Sequence, residues 1–239
     1  MGNYLHSLRR RRRERLATQH RELSDERVAV IGLGRFGSSL AHELTRRGWD
    51  VLGIDTDAAL VQRHSEALTH SVIADCTDPE ALRQLGAHEI TIAVVGIGTD
   101  IEASILITSN LLDAGVPNIW AKAVSQQHGR ILERIGAHHV VLPEHEMGER
   151  VAHLVTGQML DFIEFDNNYA LVKAIAPDVV TGAPLGQTAV RSRYGVTVVG
   201  IKRSGEDFTY ATAETVVEKG DIIIVTGKTR AVEAFSGLS

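Results

Sequence analysis

Apolar and polar positions follow two alternating patterns between residues 28 and 143. Short apolar runs bounded by glycine or polar residues are typical of buried parallel strands, and the segments between them repeat apolar residues at helical spacing. We predict strands near residues 28–32, 51–55, 70–74, 90–95, 118–122 and 139–142. Six strands in regular alternation with helices predict an α/β fold with a doubly wound, Rossmann-like parallel sheet.

The first strand runs into the glycine-rich turn Gly32-Leu33-Gly34-Arg35-Phe36-Gly37 and then into a helix. Gly32 permits the tight turn, Gly34 lets the backbone approach a phosphate, and Gly37 lets the helix pack against the strand. The free amides and the dipole at the helix start attract phosphate. Asp55 ends the second strand at the spacing of a ribose-binding acid. The combination predicts nucleotide binding, although glycines that serve only helix packing would explain the turn alone.

Ligands of doubly wound sheets bind at the carboxyl ends of the strands. Polar or glycine-containing segments follow the next three strands as well, namely Thr56 and Asp57, then Asp75, Cys76 and Thr77, then Gly96, Ile97 and Gly98, and Lys122 ends the fifth strand. The helix after Gly98 repeats apolar residues at Ile101, Ile105, Thr108 and Leu112, so it can bury one face and present its amino end to the ligand.

Glu144 follows the sixth strand, close to the expected phosphate position. A carboxylate beside phosphates requires a cation between them, as Mg²⁺ commonly provides, which makes Glu144 a candidate metal ligand. Stabilisation of a helix start by the same carboxylate explains it equally well. His138 and His139 are adjacent on a strand and point to opposite faces, which argues against a joint metal site there.

A second module begins near Leu160, where the composition changes. A helical apolar stripe precedes it at Met147, Val151, Leu154, Val155 and Met159, and either core packing or a crossing to a second subunit explains this stripe. The module itself is predicted to contain strands near 162–166, 169–175, 196–203 and 221–227 and short helices at 183–194 and 229–235. At about 80 residues it is marginal alone, so pairing with a copy of itself is expected.

Charge is concentrated at the start of the chain, where residues 1–27 hold eight arginines against four acidic residues. The run Arg9–Arg13 fits a solvated tail, contact with an anionic membrane face or partner, or nucleic acid; the acidic remainder of the chain argues against the last. It lacks the apolar core of a secretory signal. A single cysteine fits a reducing compartment, and no apolar run reaches the length of a membrane span.

No catalytic constellation accompanies the glycine turn. A dehydrogenase needs a substrate domain and an acid or base near the reacting group, and the second module holds neither a histidine nor a cysteine. We therefore expect a protein without enzymatic activity. The alternatives are an NAD(H)-dependent oxidoreductase and an NAD(H)-sensing regulator. Asp55 argues against NADP because its charge would meet the 2′-phosphate, but it does not separate NAD from ATP.

Several motifs in order resemble RCK proteins, the cytosolic regulatory subunits of Ktr and Trk-type potassium transporters, and most closely the Ktr regulatory subunit. They are GLGRFG at 32–37, the strand end at Asp55, VGIGTDIEAS at 95–104, NIWAKA at 118–123, IGAHHVVLPEHEMG at 135–148 and RYGVTVVGIKR at 193–203. The resemblance covers about residues 26–236. It implies a basic arm at 1–25, a nucleotide-binding domain at 26–143, a crossover helix at 144–160 and a small α+β carboxyl-terminal domain at 161–239.

The resemblance also implies how such a protein acts. RCK subunits form homodimers that assemble into a homo-octameric ring at the inner face of the cell membrane, beneath a potassium-translocating channel subunit; ATP favours the activating shape and ADP the inactive one. Carried onto this chain, the glycine turn would hold phosphates, Asp55 the ribose, Asp75–Thr77 the adenine and Arg35 the γ-phosphate, while Glu144 would coordinate Mg²⁺ or another cation. Relatives also bind NAD or NADH at this site, and some bind cyclic di-AMP between carboxyl-terminal domains. The arginine-rich arm departs from the family pattern.

Overall fold

Six parallel strands form one sheet in the order β3-β2-β1-β4-β5-β6 in the computed structural model, which describes residues 27–155, 159–166 and 168–238. The strands are β1 (Arg27–Ile31), β2 (Asp50–Asp55), β3 (His70–Ile73), β4 (Ile90–Val95), β5 (Asn118–Lys122) and β6 (His139–Val141). All six predicted strands are present within two residues of their expected bounds. The strand order reverses between β1 and β4, the position at which doubly wound sheets bind ligands.

Helices cover both faces of this sheet. They are α1 (Arg35–Arg46), α2 (Ala58–His64), α3 (Pro79–Gln84), α4 (Ile101–Asp113) and α5 (Gln126–Ile135), with a 3-10 turn at Ala87–Glu89. Alternate residues of β1 join different cores, since Val28 and Val30 pack in one apolar cluster and Ala29 and Ile31 in the other. This alternation follows from the two-residue period of a strand buried on both faces.

The buried face of α4 differs from the predicted stripe. Ser104, Ile107, Thr108 and Leu111 are buried, whereas Ile101 is 45% exposed. The small side chains of Ser104 and Thr108 fit against the sheet. The buried Thr108 hydroxyl has a hydrogen-bond partner, since it donates to the Ser104 carbonyl at 2.8 Å. The predicted stripe included Thr108, Ile105 and Leu112, which do pack against the core, but it missed the buried Ser104 because a pattern of apolar residues passes over a small hydroxyl side chain.

Residues from Glu144 onward form a second compact unit, separate from the unit that ends at Pro143. Helix α6 (Pro143–Val155) leads to an antiparallel sheet of order β10-β9-β11-β8-β7. The strands are β7 (Asp161–Asp166), β8 (Tyr169–Ile175), β9 (Val196–Lys202), β10 (Thr209–Tyr210) and β11 (Ile222–Lys228). The helices of this unit after α6 are α7 (Leu185–Thr188), α8 (Val190–Tyr194) and α9 (Thr229–Ser236), with a 3-10 turn at Asp178–Val180.

Two details of this unit depart from the sequence prediction. The helix expected over residues 183–194 is interrupted at Ala189, whose φ of 53° places it in the left-handed region and ends one helical segment before the next begins. The two-residue strand β10 was not predicted, because so short a pairing carries no periodicity.

The apolar stripe of α6 is divided between two environments. Met147, Val151 and Val155 are 53%, 43% and 75% exposed, while Leu154 packs against the core of the second unit. Met159 lies beyond α6 and is buried in that core. Residues 1–26, 156–158, Asn167 and Ser239 lie outside the described residues, and with them the basic arm, part of the predicted crossover helix and the centre of the turn at 166–168.

Within the described ranges, no helix combines the length and apolar character needed to cross a membrane.

Candidate functional site

The glycine turn is held by backbone hydrogen bonds from the strands on either side of β1. Gly32 adopts a φ of +94°, which only glycine tolerates easily, and its amide donates to the Ile54 carbonyl at 2.8 Å. The amide of Gly96, after β4, donates to the Ile31 carbonyl at 2.7 Å. The turn therefore sits at the point where the strand order reverses.

Close approach of the backbone requires a glycine at position 37 and disfavours a side chain at position 96. A Cβ added at Gly37 would lie 1.8 Å from the Gly32 carbonyl oxygen, and one at Gly96 would lie 3.2 Å from the same atom. At Gly34, by contrast, an added Cβ would meet no atom within 4 Å. Folding thus explains the first two glycines, whereas the absence of a side chain at Gly34 leaves open space at the start of α1.

The amino end of α1 differs from those of its neighbours. Asp57, Asp78, Asp100 and Ser125 cap α2 to α5, each accepting a hydrogen bond from a first-turn amide. Among the described residues no side chain caps α1, and its first turn contains no acidic residue. Amides at an uncapped helix start, together with the helix dipole, form an anion-binding position. The other four helix starts are already occupied by their own caps.

Asp55 is bonded to the glycine turn from the neighbouring strand. Its Oδ2 accepts from the Leu33 amide at 2.7 Å and its Oδ1 accepts from the Asp57 amide at 2.9 Å. Asp57 in turn caps α2 through the Ala59 amide at 2.8 Å, and Thr56 between them is exposed. An ionised carboxylate has about four acceptor positions, so Asp55 retains capacity for a hydroxyl donor.

The segment after β3 is shaped by its own side chains. Asp75 Oδ1 accepts from the Thr77 hydroxyl at 2.7 Å and the Thr77 amide at 2.9 Å, and these bonds hold the pKa of the Asp75 carboxyl below its usual value. Cys76 is buried in the core, where burial, with a smaller contribution from the charge of Asp75, raises the pKa of its thiol to about 12. Only the backbone of Cys76 is therefore placed to border a ligand.

Asn110 positions this segment and was not predicted from the sequence. Its side-chain amide donates to the Cys76 carbonyl at 3.2 Å and to the Thr77 carbonyl at 2.8 Å. Asn110 lies on α4, 33 residues from Thr77 in the chain. A polar residue on an amphipathic helix gives no local sign of such a distant contact.

Lys122 brings positive charge to the same edge of the sheet. It is 9% exposed, and its ammonium lies 5.7 Å from the centroid of the Phe36 ring. An added Cβ at Gly98 would lie 3.2 Å from Lys122 Nζ, and one at Gly32 would lie 2.9 Å from Ile97 Cγ1. The glycine turn, the Gly96–Gly98 loop and Lys122 are therefore adjacent, while Arg35 is exposed at the first position of α1.

The candidate metal ligands predicted from the sequence are Glu144 and, with less support, His138 and His139. Glu144 lies in the first turn of α6 and belongs to the second unit, so its part in the site stays a prediction. His138 accepts from the Ile119 amide at 3.1 Å, and His139 stacks on Trp120 with centroids 4.1 Å apart. In the part of the chain that the structure describes, no three His, Cys, Asp or Glu side chains are grouped as metal ligands.

Both units match known protein families. The TrkA-N domain family matches residues 28–143 and the TrkA-C domain family matches residues 172–238. Ktr system potassium uptake protein C of Bacillus subtilis (strain 168) is 38% identical over 208 residues, which are 87% of this chain and 94% of that protein. Ktr system potassium uptake protein A of the same strain is 33% identical over 214 residues, 89% of this chain and 96% of that protein.

A solved structure shares the fold. The GsuK channel bound to NAD aligns with a TM-score of 0.62 and 17% identity over 90% of this chain, which spans only 40% of the GsuK chain. The six-stranded sheet and its glycine turn define a Rossmann-fold protein with an added antiparallel domain. The chain belongs to the TrkA and Ktr family of potassium uptake proteins. The resemblance and the α/β fold class predicted from the sequence are thereby confirmed.

Proposed function

We propose that this protein is a nucleotide-sensing regulatory subunit that gates a membrane potassium channel or transporter. The observation that carries the proposal is the uncapped start of α1 at the reversal of strand order, with Asp55 bonded beside it at the Leu33 amide. Similarity to the Ktr potassium uptake proteins over nearly their whole length supports the transport role. The protein would act in the cytoplasm, at the inner face of the membrane, through its channel partner.

The nucleotide is ATP or ADP, which stabilise two different shapes of the assembly. The phosphates would occupy the glycine turn, the ribose hydroxyls would meet Asp55, and the adenine would lie near Asp75–Thr77. Arg35 is exposed at the helix start, where it can reach a γ-phosphate that ADP lacks. A charge-assisted hydrogen bond contributes about 1.5–3 kcal/mol, enough to shift a balanced equilibrium by a factor of ten or more.

A divalent cation would accompany the nucleotide. Glu144 in the first turn of α6 is the proposed ligand, since a carboxylate approaches phosphates favourably only when a cation such as Mg²⁺ lies between them. The cation would offset the repulsion between the Glu144 carboxylate and the phosphates, so that both could bind it at once.

The assembly unit would be a homodimer, and four dimers would form an octameric ring against the membrane subunit. Two apolar surfaces support self-association: the exposed stripe of Met147, Val151 and Val155 on α6, and Ile163, Phe165 and Ile175 on the sheet of the second unit. Exposed apolar patches of this kind mark association sites. Cyclic di-AMP between two copies of the carboxyl-terminal domain is a further candidate ligand, drawn from the resemblance.

No bond needs to be broken for this function, and we propose that the protein is not an enzyme. The second candidate is an NAD(H)-sensing regulator, favoured by the NAD in the related GsuK channel structure. An NAD(H)-dependent oxidoreductase is the third. The binding geometry of a ribose diol at Asp55 is compatible with all three.

Solution scattering of the full-length protein tests the proposal. With ATP and ADP at saturation, two distinct profiles of an octameric assembly are expected, with both nucleotides recovered chemically unchanged. Identical profiles would contradict a nucleotide-driven switch. A parallel incubation with NADH addresses the alternatives, because steady oxidation of NADH in the presence of a carbonyl substrate would establish an enzyme instead.

A further inference from the structure

Two histidines from neighbouring helices meet on the surface of the amino-terminal unit. His42 Nε2 and His64 Nδ1 lie 3.1 Å apart, and the ring centroids are 4.9 Å apart with the planes inclined at 62°. His42 lies in the third turn of α1, and His64 is the last residue of α2. The nucleotide site described above uses neither residue.

Buried packing holds the two helices that carry this pair. Leu40 and Leu44 of α1 and Leu60 and Val61 of α2 join one apolar cluster beneath the two histidines. The two helices are therefore held on the same face of the sheet by buried contacts, and the rings project from regular elements instead of loops. Sites built on such elements are held more precisely than sites built on loops.

The spacing of the two ring nitrogens suits a shared metal ion. Zinc binds histidine nitrogen at about 2.0–2.1 Å, so two imidazoles on one tetrahedral ion have nitrogens about 3.3 Å apart. The pair needs an adjustment of only a few tenths of an ångström in this distance, together with a rotation of the rings so that both lone pairs converge on one point. The 3.1 Å contact is itself a hydrogen bond between the two rings, so a bound ion would replace it, and the exposure of His42 gives its ring room to rotate.

The electrostatic surroundings of His64 also favour metal binding. Burial lowers the pKa of the His64 imidazole, and the neighbouring charges of His42 and Arg63 lower it further. A neutral ring is the form that binds metal, so little deprotonation is required at neutral pH. Arg63 also repels a cation, which limits the affinity.

We propose that His42 and His64 form a two-histidine site for a borderline divalent transition ion such as Zn²⁺, Ni²⁺ or Cu²⁺, with water completing the coordination shell. Two protein ligands are fewer than a structural zinc site provides, so the ion exchanges readily. Imidazole favours these ions over Mg²⁺ and Ca²⁺, with Cu²⁺ bound most tightly. Because the ligands come from α1 and α2, the ion links the two helices and stabilises the folded state.

Titration of the full-length protein with Zn²⁺, followed by calorimetry, tests this site. The wild-type chain should bind one ion more than the His42→Gln/His64→Gln double variant, and each single variant should lose at least tenfold in affinity for that ion. His88→Gln removes another exposed histidine of the same unit and should leave the affinity unchanged. Equal affinity in His42→Gln and His88→Gln would overturn the site.

A second measurement avoids any loss of folding in the variants. Electron paramagnetic resonance of the unmodified protein with less than one equivalent of Cu²⁺ should report two equatorial imidazole nitrogens, and the signal should weaken as the pH falls from 7.5 to 5.5 because protons compete for the rings. A spectrum with one imidazole nitrogen or none would refute the two-histidine site.

Discussion

Asp55 Oδ2 accepts a 2.7 Å hydrogen bond from the backbone amide of Leu33, which joins the acid at the end of β2 to the middle of the glycine turn. The acid expected to bind ribose therefore also fixes the backbone that would bind phosphate. Leu33 is fully buried, so water cannot easily replace this acceptor. The two halves of the candidate nucleotide site are thus coupled before any ligand arrives.

Replacing Asp55 should lower stability without any nucleotide present. Asp55→Ala leaves the Leu33 amide without its acceptor, and an unsatisfied buried donor costs about 1–3 kcal/mol in the free energy of unfolding. Denaturant unfolding of the nucleotide-free protein measures the change. Thr56→Ala, at the exposed neighbouring position, is the control and should unfold like the wild type. Wild-type stability of Asp55→Ala would show that the bond contributes nothing to the turn.

Gly34 and Gly37 should respond differently to alanine. A Cβ at Gly34 meets no atom within 4 Å, and its φ of −64° suits any residue, so Gly34→Ala should fold normally yet bind ATP at least tenfold more weakly because the methyl group occupies the phosphate position. Gly37→Ala, unlike Gly34→Ala, should also lower the stability of the fold, since its Cβ would collide with the Gly32 carbonyl oxygen. Thermal unfolding and nucleotide titration of both variants provide the comparison. Undiminished ATP binding by Gly34→Ala would move the phosphate site elsewhere.

Arg35 should set the preference between nucleotides. Arg35→Ala removes a cation from the start of α1 and should reduce ATP affinity about tenfold or more, the value of one charge-assisted hydrogen bond, while ADP affinity stays nearly constant. Parallel calorimetric titrations give the ratio of the two affinities. Arg63→Ala, on α2, serves as a matched loss of charge. An equal loss for ATP and ADP would remove Arg35 from γ-phosphate sensing.

Glu144 should connect the cation to the nucleotide. In Glu144→Gln the effect of Mg²⁺ on ATP affinity should largely disappear, because the amide is a far weaker ligand for a hard cation than the carboxylate. ATP titrations with Mg²⁺ and with a chelator measure this effect, and Glu149→Gln on the same helix is the control. If the Mg²⁺ dependence survives unchanged in Glu144→Gln, the residue serves only the start of α6.

Cys76 should be unreactive while the protein is folded. Burial raises the pKa of its thiol to about 12, so almost no thiolate is present at pH 8, and a thiol reagent should label the chain only after unfolding.

The raised pKa of Cys76 should also make the stability of the folded protein fall at high pH. The folded state holds its proton more tightly than the unfolded state, so the stability that Cys76 contributes is complete below about pH 8.5 and is lost as the pH rises toward 12. A Cys76→Ala variant should lack this alkaline loss; rapid labelling of folded wild-type protein would contradict the buried thiol.

The sequence was sufficient for the parts of the fold that depend on local pattern. Strand periodicity located all six strands of the parallel sheet, and the glycine spacing located the turn after β1. Contacts between residues that are distant in the chain could not be predicted, because they produce no local sequence pattern. The bond from Asn110 to the segment after β3, the pairing of His42 with His64 and the burial of Ser104 on α4 each depend on tertiary packing, which neither periodicity nor spacing encodes.

The candidate site, too, was predicted from the sequence only in part. The sequence indicated which residues follow the strand ends, and the structure brings the glycine turn, Asp55, Gly96–Gly98 and Lys122 together. It does not follow from the sequence that Cys76 faces the core or that α1, unlike α2 to α5, has no side-chain cap among the residues that the structure describes. Both depend on how each loop turns after its strand.

Calorimetric titration of the full-length protein with ATP, ADP, NAD and NADH tests the central claim most directly, since it compares the candidate ligands on one binding site. We predict that ATP and ADP bind and compete for one site per chain, that ATP binds more tightly than NADH, and that Gly34→Ala weakens the binding of both adenine nucleotides at least tenfold. NADH binding as tight as or tighter than ATP binding would contradict an ATP-sensing subunit.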